Sequence, residues 1–120
     1  MVKDIHTDVI GQSEDALQQK CVFWFHNEYP NLRGLLFSVP NGGFRTNREA
    51  GKLKQTGIVS GVSDLILMVY GKTYCLELKI EKKKQSPTQI EWQAKVEKQG
   101  FDYSVIRSLL EFKSKIREII

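Results

Sequence analysis

A chain of 120 residues has room for one hydrophobic core and not for two, so residues 1–120 are expected to form a single domain. With 41% hydrophobic and 27% charged residues the composition is that of a globular protein rather than a disordered one. The formal net charge of +4 is a mild basic excess that suits a polyanionic partner without requiring one, and the two cysteines, Cys21 and Cys75, have neither C-x-x-C nor zinc-ligand spacing, which predicts buried thiols rather than a disulfide framework.

The elements follow in chain order. Ser13 is placed to cap a helix that runs to about Tyr29, where Pro30 ends it, with Leu17, Cys21, Trp24 and Phe25 as its apolar stripe. Leu35 to Val39 reads as a short strand, closed by the turn signal Pro40-Asn41-Gly42-Gly43. Thr46 to Gln55 is a polar, short helix stopped by Gly57. Asp64 to Tyr70 is nearly all apolar, as a central buried strand should be. A tight turn at Gly71-Lys72 returns the chain as a partner strand from Thr73 to Ile80. After a charged connector from Glu81 to Gln85, Ser86-Pro87-Thr88-Gln89 opens a helix with a cap, an N1 proline and a capping-box glutamine, and Gly100 ends it. Asp102 to Arg107 is a fourth strand. Ser108 then caps a last helix with Leu109, Phe112, Ile116 and Ile119 on one face. The order α-β-(α)-β-β-α-β-α predicts an α/β fold, a small mixed sheet flanked by helices.

The charged N-terminus, Met1 to His6, lacks the apolar stretch of a secretion signal, and the run Leu65 to Tyr70 is far too short to span a membrane. The expected location is therefore the cytoplasm, with no membrane contact.

The chemistry concentrates between Gly57 and Lys79. Asp64 stands at the mouth of a buried strand. Glu77 and Lys79 lie two residues apart on the next strand, so their side chains leave the same face of the sheet. A turn at Gly71-Lys72 sets Glu77 roughly opposite Asp64 and Ile66, and the two carboxylates can converge. Two carboxylates with a lysine are the parts that metal-assisted phosphodiester hydrolysis needs. Mg2+ accepts one or two carboxylates and a backbone carbonyl, here that of Leu78, and keeps the rest of its shell as water. Such an ion lowers the pKa of a bound water, and Lys79 would orient or help deprotonate that water and offset charge on the phosphate. A lone E-x-K is also what a solvated strand face looks like. Leu76, Leu78 and Ile80 nevertheless mark the other face as core, and Asp64 on an apolar strand is costly to bury without a partner.

Val39-Pro40-Asn41-Gly42-Gly43, Lys52-Leu53-Lys54, Gly57, Gly61-Val62-Ser63-Asp64, Glu77-Leu78-Lys79 and Gln89 with Trp92, in that order, resemble the VRR-NUC family of the PD-(D/E)xK (restriction-endonuclease-like) nuclease superfamily. Over roughly Ser13 to Leu110 the chain is similar to the small standalone, phage-type members. The resemblance implies a Mg2+- or Mn2+-dependent, structure-specific DNA endonuclease that acts as a homodimer on branched DNA such as four-way (Holliday) junctions. Ser63 stands where the superfamily pattern has proline, a residue that shapes the loop and ligates nothing. The resemblance also implies that Glu14 completes the metal site and that Gln89 positions the water or Lys79. Each has a plainer explanation: an acid suits the first turn of a helix, and a glutamine at N3 closes a capping box. Trp92 and Val96 are expected to pack.

Asn41, Arg45, Asn47, Arg48, Lys52 and Lys54 precede the active-site loop, and Lys82, Lys83 and Lys84 follow it. Positive charge thus brackets the acidic centre, as holding phosphates beside carboxylates requires, although a charge run is also what a solvated loop carries. His6 and His26 have no partner at informative spacing. The alternatives are a non-catalytic DNA-binding module of the same fold, or a nuclease acting on duplex DNA or on RNA.

Overall fold

The computed structural model describes residues 12–40 and 47–120. Asn41, Gly42, Gly43, Arg45 and His6 lie outside them, and so do the sequence expectations attached to those residues.

The helices begin where side-chain caps put them. Ser13 accepts the N–H of Ala16 and starts α1, Glu14–Glu28. A single 3-10 turn, Pro30–Leu32, follows. The next elements are β1 (Leu36–Ser38), α2 (Asn47–Gln55), β2 (Leu65–Val69) and β3 (Lys72–Leu78). The last three are α3 (Pro87–Lys98), β4 (Asp102–Ile106) and α4 (Leu109–Ile119). Ser86 and Gln89 form the full capping box of α3, and Ser108 caps α4 through the N–H of Glu111.

The sheet has the order β1-β2-β3-β4, with antiparallel pairing except between β3 and β4, which are parallel and joined across α3. Alternation along the strands divides the molecule into two layers. Leu65, Leu67, Val69, Leu76, Leu78 and Ile106 point to one side, where they are buried with Leu17, Cys21 and Phe25 of α1 and Leu109, Phe112 and Ile116 of α4. On the other side Cys75 and Tyr103 pack with Val96, and Ile66, Trp92 and Val105 cover them. The two cysteines therefore lie on opposite faces of the sheet as separate thiols. No helix among the described residues is long and apolar enough to cross a membrane.

One expectation is corrected. The β2–β3 turn is Tyr70-Gly71, not Gly71-Lys72, because Val69 pairs with Lys72. Both turn residues have positive φ, 54° and 74°, the type I′ geometry whose twist matches that of the flanking strands. The register moves accordingly: Ile66 faces Cys75 and Leu65 faces Leu76, so one step further on Glu77 lies opposite Asp64 and not opposite Ile66. The strand also ends at Leu78 rather than Ile80. Lys79 keeps one ladder bond past that end, from its N–H to the Ile106 carbonyl at 3.0 Å.

Candidate active site

Asp64 sits in the last step before β2, and backbone contacts hold it on both sides. Its carbonyl accepts the N–H of Val39 at 2.9 Å, and its Oδ2 accepts the N–H of Leu78 at 2.7 Å. The Leu78 N–H thus faces Asp64, and in an extended strand the carbonyl of the same residue leaves on the same side. Ser63 is fully buried, and its hydroxyl donates to the Leu65 carbonyl at 3.2 Å. That bond constrains the loop ahead of β2.

Glu77 is 1% exposed and Lys79 is 8% exposed. Their charged ends approach at 3.9 Å, Lys79 Nζ to Glu77 Oε2. Gln89 joins them: its Nε2 donates to Glu77 Oε2 at 2.9 Å, while its Oε1 accepts the Ser86 N–H at 2.8 Å. The capping-box explanation for Gln89 is met by one end of its amide, and the other end bonds Glu77 rather than Lys79.

Glu77 Oε1 is buried with no hydrogen-bond partner. Burial, and next the neighbouring Asp64 charge, push the Glu77 carboxyl up to about 8, against a downward pull from Lys79. Burial likewise raises Asp64, opposed chiefly by its bond to the Leu78 N–H. A proton on Glu77 removes one of the two like charges, and its raised pKa keeps that proton in place up to about pH 8.

The first turn of α1 brings two acids towards this pair. The charge of Glu14 acts on Glu77 and that of Asp15 acts on Asp64, each raising the other group's pKa. Asp15 was missed in the sequence, where its only signal was adjacency to Glu14. Tyr103 was missed as well. It is buried on the same face of the sheet, its hydroxyl accepts from Gln85 Nε2 at 3.1 Å, and burial followed by the Glu77 charge raises its pKa.

Gly61 ties the Asp64 loop to α3. Its φ is +86°, and a Cβ there would press on the Thr88 carbonyl. The loop can approach the start of α3 this closely only with glycine at that position. Trp92 and Val96 pack α3 against Cys75 and Tyr103 of the sheet, as the sequence suggested.

The basic residues are more dispersed. Arg48, Lys52 and Lys54 are exposed on α2, and Lys82, Lys83 and Lys84 are exposed on the β3–α3 connector. Among the described residues, no hydrogen bond or ion pair ties them to the carboxylate pair. Arg107 fixes the connector instead, donating through Nη1 to the carbonyls of Glu81 at 3.1 Å and Lys83 at 2.7 Å.

Among the described residues, no three His, Cys, Asp or Glu side chains are gathered into a ready-made ion cage. The donor set on offer is two carboxylates, one with a buried unpartnered oxygen, beside a backbone carbonyl. That set fits an ion which retains water in its shell better than one enclosed by protein.

No family model and no curated protein matches this sequence. Solved structures do. A "VRR_NUC domain protein" superposes with a TM-score of 0.78 at 23% identity, over 93% of this chain and 91% of that one. A second, a "VRR_NUC domain", superposes with a TM-score of 0.60 at 20% identity, over 89% of this chain and 97% of that one. With its four-stranded mixed sheet between helix layers, the chain has the fold of VRR_NUC domain proteins.

Proposed function

We propose that the protein is a divalent-metal-dependent endonuclease that hydrolyses phosphodiester bonds in DNA. The observation that carries this reading is the state of Glu77: a carboxylate with one oxygen unpartnered, 1% exposed and beside Asp64. A buried like-charge pair is expensive to maintain unless a cation or a proton occupies it. The motif resemblance and the shared fold support the same conclusion.

Asp64, Glu77 and the Leu78 carbonyl would hold Mg2+ or Mn2+, and Glu14, whose charge acts on Glu77 from the first turn of α1, would complete the set. The bound ion would supply a more acidic water and offset charge on the phosphate. The other roles belong to side chains. Gln89 fixes the rotamer of Glu77 by donating to Oε2, and the Leu78 N–H fixes that of Asp64. Lys79 would position the attacking water and offset charge developing on the phosphate. Arg48, Lys52, Lys54 and Lys82 to Lys84, with Asn41 and Arg45, would take flanking phosphates.

The substrate proposed from the resemblance is branched DNA such as a four-way junction, cut by a homodimer whose two-fold symmetry matches that of the junction. The test is a panel of end-labelled four-way junction, flap, duplex, single-stranded DNA and RNA, each with Mg2+, Mn2+ or EDTA. Metal-dependent cutting, strongest on the branched DNAs, is expected. Metal-independent cutting, or tight binding without cutting in any arm, would contradict the proposal, and the second outcome would favour a binding module.

A further inference from the structure

The loop ahead of Asp64 and the first turns of α3 enclose a pocket of about 140 Å³, lined by Val59, Ser60, Thr88, Glu91, Trp92 and Lys95. Two of its walls run directly into the carboxylate centre. Ser60 stands four residues before Asp64, and Thr88 precedes Gln89, whose amide donates to Glu77. The close approach of Gly61 to the Thr88 carbonyl holds the two walls together.

The pocket is far below the ~300–1,000 Å³ of sites for larger ligands, and one flat ring system would fill it. Its chemistry is mixed in a way that suits such a ring. Trp92 supplies an aromatic wall held in place by packing against Tyr103, with ring centroids 6.1 Å apart. Val59 supplies an apolar edge and is 51% exposed, while Ile58 and Ile90, next in sequence to lining residues, are 47% and 55% exposed. The hydroxyls of Ser60 and Thr88 and the Glu91–Lys95 pair add donors and acceptors. At 3.8 Å and almost three-quarters exposed, that ion pair is weak enough to exchange partners. The loop leaves the end of α2 through a cap bond, the Ile58 N–H donating to the Leu53 carbonyl at 3.0 Å, and Lys95 brings positive charge into the pocket lining.

An aromatic face, an apolar edge, a polar rim and a cation, here Lys95, are what recognition of an unpaired base uses. We infer that this pocket takes one unpaired base of the bound DNA strand, stacked on Trp92, next to the phosphate presented to Asp64 and Glu77. The enzyme would then select an unstacked nucleotide at the cut site rather than a base sequence. This inference rests on the nuclease reading.

The experiment uses Asp64→Asn protein without metal, so that binding is read without cleavage. Branched DNAs carrying 2-aminopurine at successive positions around the branch point are titrated with it. Fluorescence should fall on binding at one position and not at the others. Adding Trp92→Leu or Val59→Glu to the Asp64→Asn protein should weaken binding of branched DNA about ten-fold, as expected for one lost stacking contact, and leave duplex binding within about two-fold. Val59 is exposed, so its variant keeps the test valid if Trp92→Leu fails to fold. No position-specific quenching, with undiminished binding by the folded variants, would overturn the base pocket and leave the nuclease reading standing. Failure of the Asp64→Asn protein to bind any DNA would overturn both.

Discussion

Gln89 Nε2 donates to Glu77 Oε2 at 2.9 Å, while the oxygen of the same amide closes the capping box of α3. Helix initiation and the orientation of a buried carboxylate are thus one interaction. Gln89→Ala should cost about 1 kcal/mol through the cap and lower cleavage about 10–100-fold through loss of the donor. Ser86→Ala separates the two effects: it should reduce thermal stability similarly and leave most of the cleavage. Equal losses of cleavage in the two variants would show that Gln89 acts only through the helix.

The Glu77 carboxyl, pushed up to about 8 from an ordinary 4.5, makes the ion-free protein sensitive to pH. Between those two values the folded chain holds a proton that the unfolded chain has released, so stability should fall as pH rises from about 4.5 to about 8. Mn2+ bound at Glu77 would have to displace that proton. Its affinity should rise by up to about ten-fold per pH unit across the upper part of this window, with about one proton released per ion. Calorimetry in buffers of different ionisation enthalpy measures the release. Affinity independent of pH would exclude Glu77 as the group displaced.

Glu77→Gln keeps the shape and the Gln89 bond but removes the buried charge. At pH 8 without metal it should raise Tm, by roughly 4 °C or more if about 1 kcal/mol is relieved. The increase in Tm that Mn2+ is expected to give the wild type should be absent in this variant. A lower Tm would mean that the charge of Glu77 is already compensated without an ion.

The elements were legible where one strong local signal decides them. Ser13, Ser86 and Ser108 marked three helix starts, and Gly100, at φ +90°, marked an end. The apolar run from Leu65 gave the central strand, and E-x-K spacing put Glu77 and Lys79 on one face. The hairpin register was legible only in part. The turn falls one residue before Gly71-Lys72, at Tyr70-Gly71, with Tyr70 an unusual residue at positive φ, and of the two residues expected opposite Glu77, Asp64 and Ile66, the pairing leaves Asp64. Nor did the sequence reveal Asp15 or Tyr103, because only the packing of α1 and β4 brings them within electrostatic reach of the carboxylates.

That turn offers a stabilising change. Tyr70 is 70% exposed at φ 54°, where Asn is far better tolerated, and Asn-Gly is the preferred type I′ pair. Tyr70→Asn should stabilise the fold by about 0.5 kcal/mol, measured by urea denaturation, without changing cleavage.

Gly61 and Gly57 form a matched pair for testing the contact between loop and helix. Both have positive φ, but a Cβ on Gly57 meets nothing within 4 Å, whereas one on Gly61 presses on the Thr88 carbonyl. Gly57→Ala should cost about 1 kcal/mol in backbone strain alone. Gly61→Ala should cost more and also lower cleavage, because it pushes the Asp64 loop off α3. Equal stability losses with cleavage retained in both would show that the contact does not position Asp64.

Asp64 and Glu77 are proposed to form a metal-dependent cleavage centre. Asp64→Asn tests it most directly, because the amide oxygen can still accept the Leu78 N–H while the negative charge is gone. Cleavage of labelled four-way junction in Mn2+ should fall below detection in the variant, with its metal-free Tm no lower than that of the wild type and its junction binding retained. Cleavage by purified Asp64→Asn protein at a rate near that of the wild type would contradict the account.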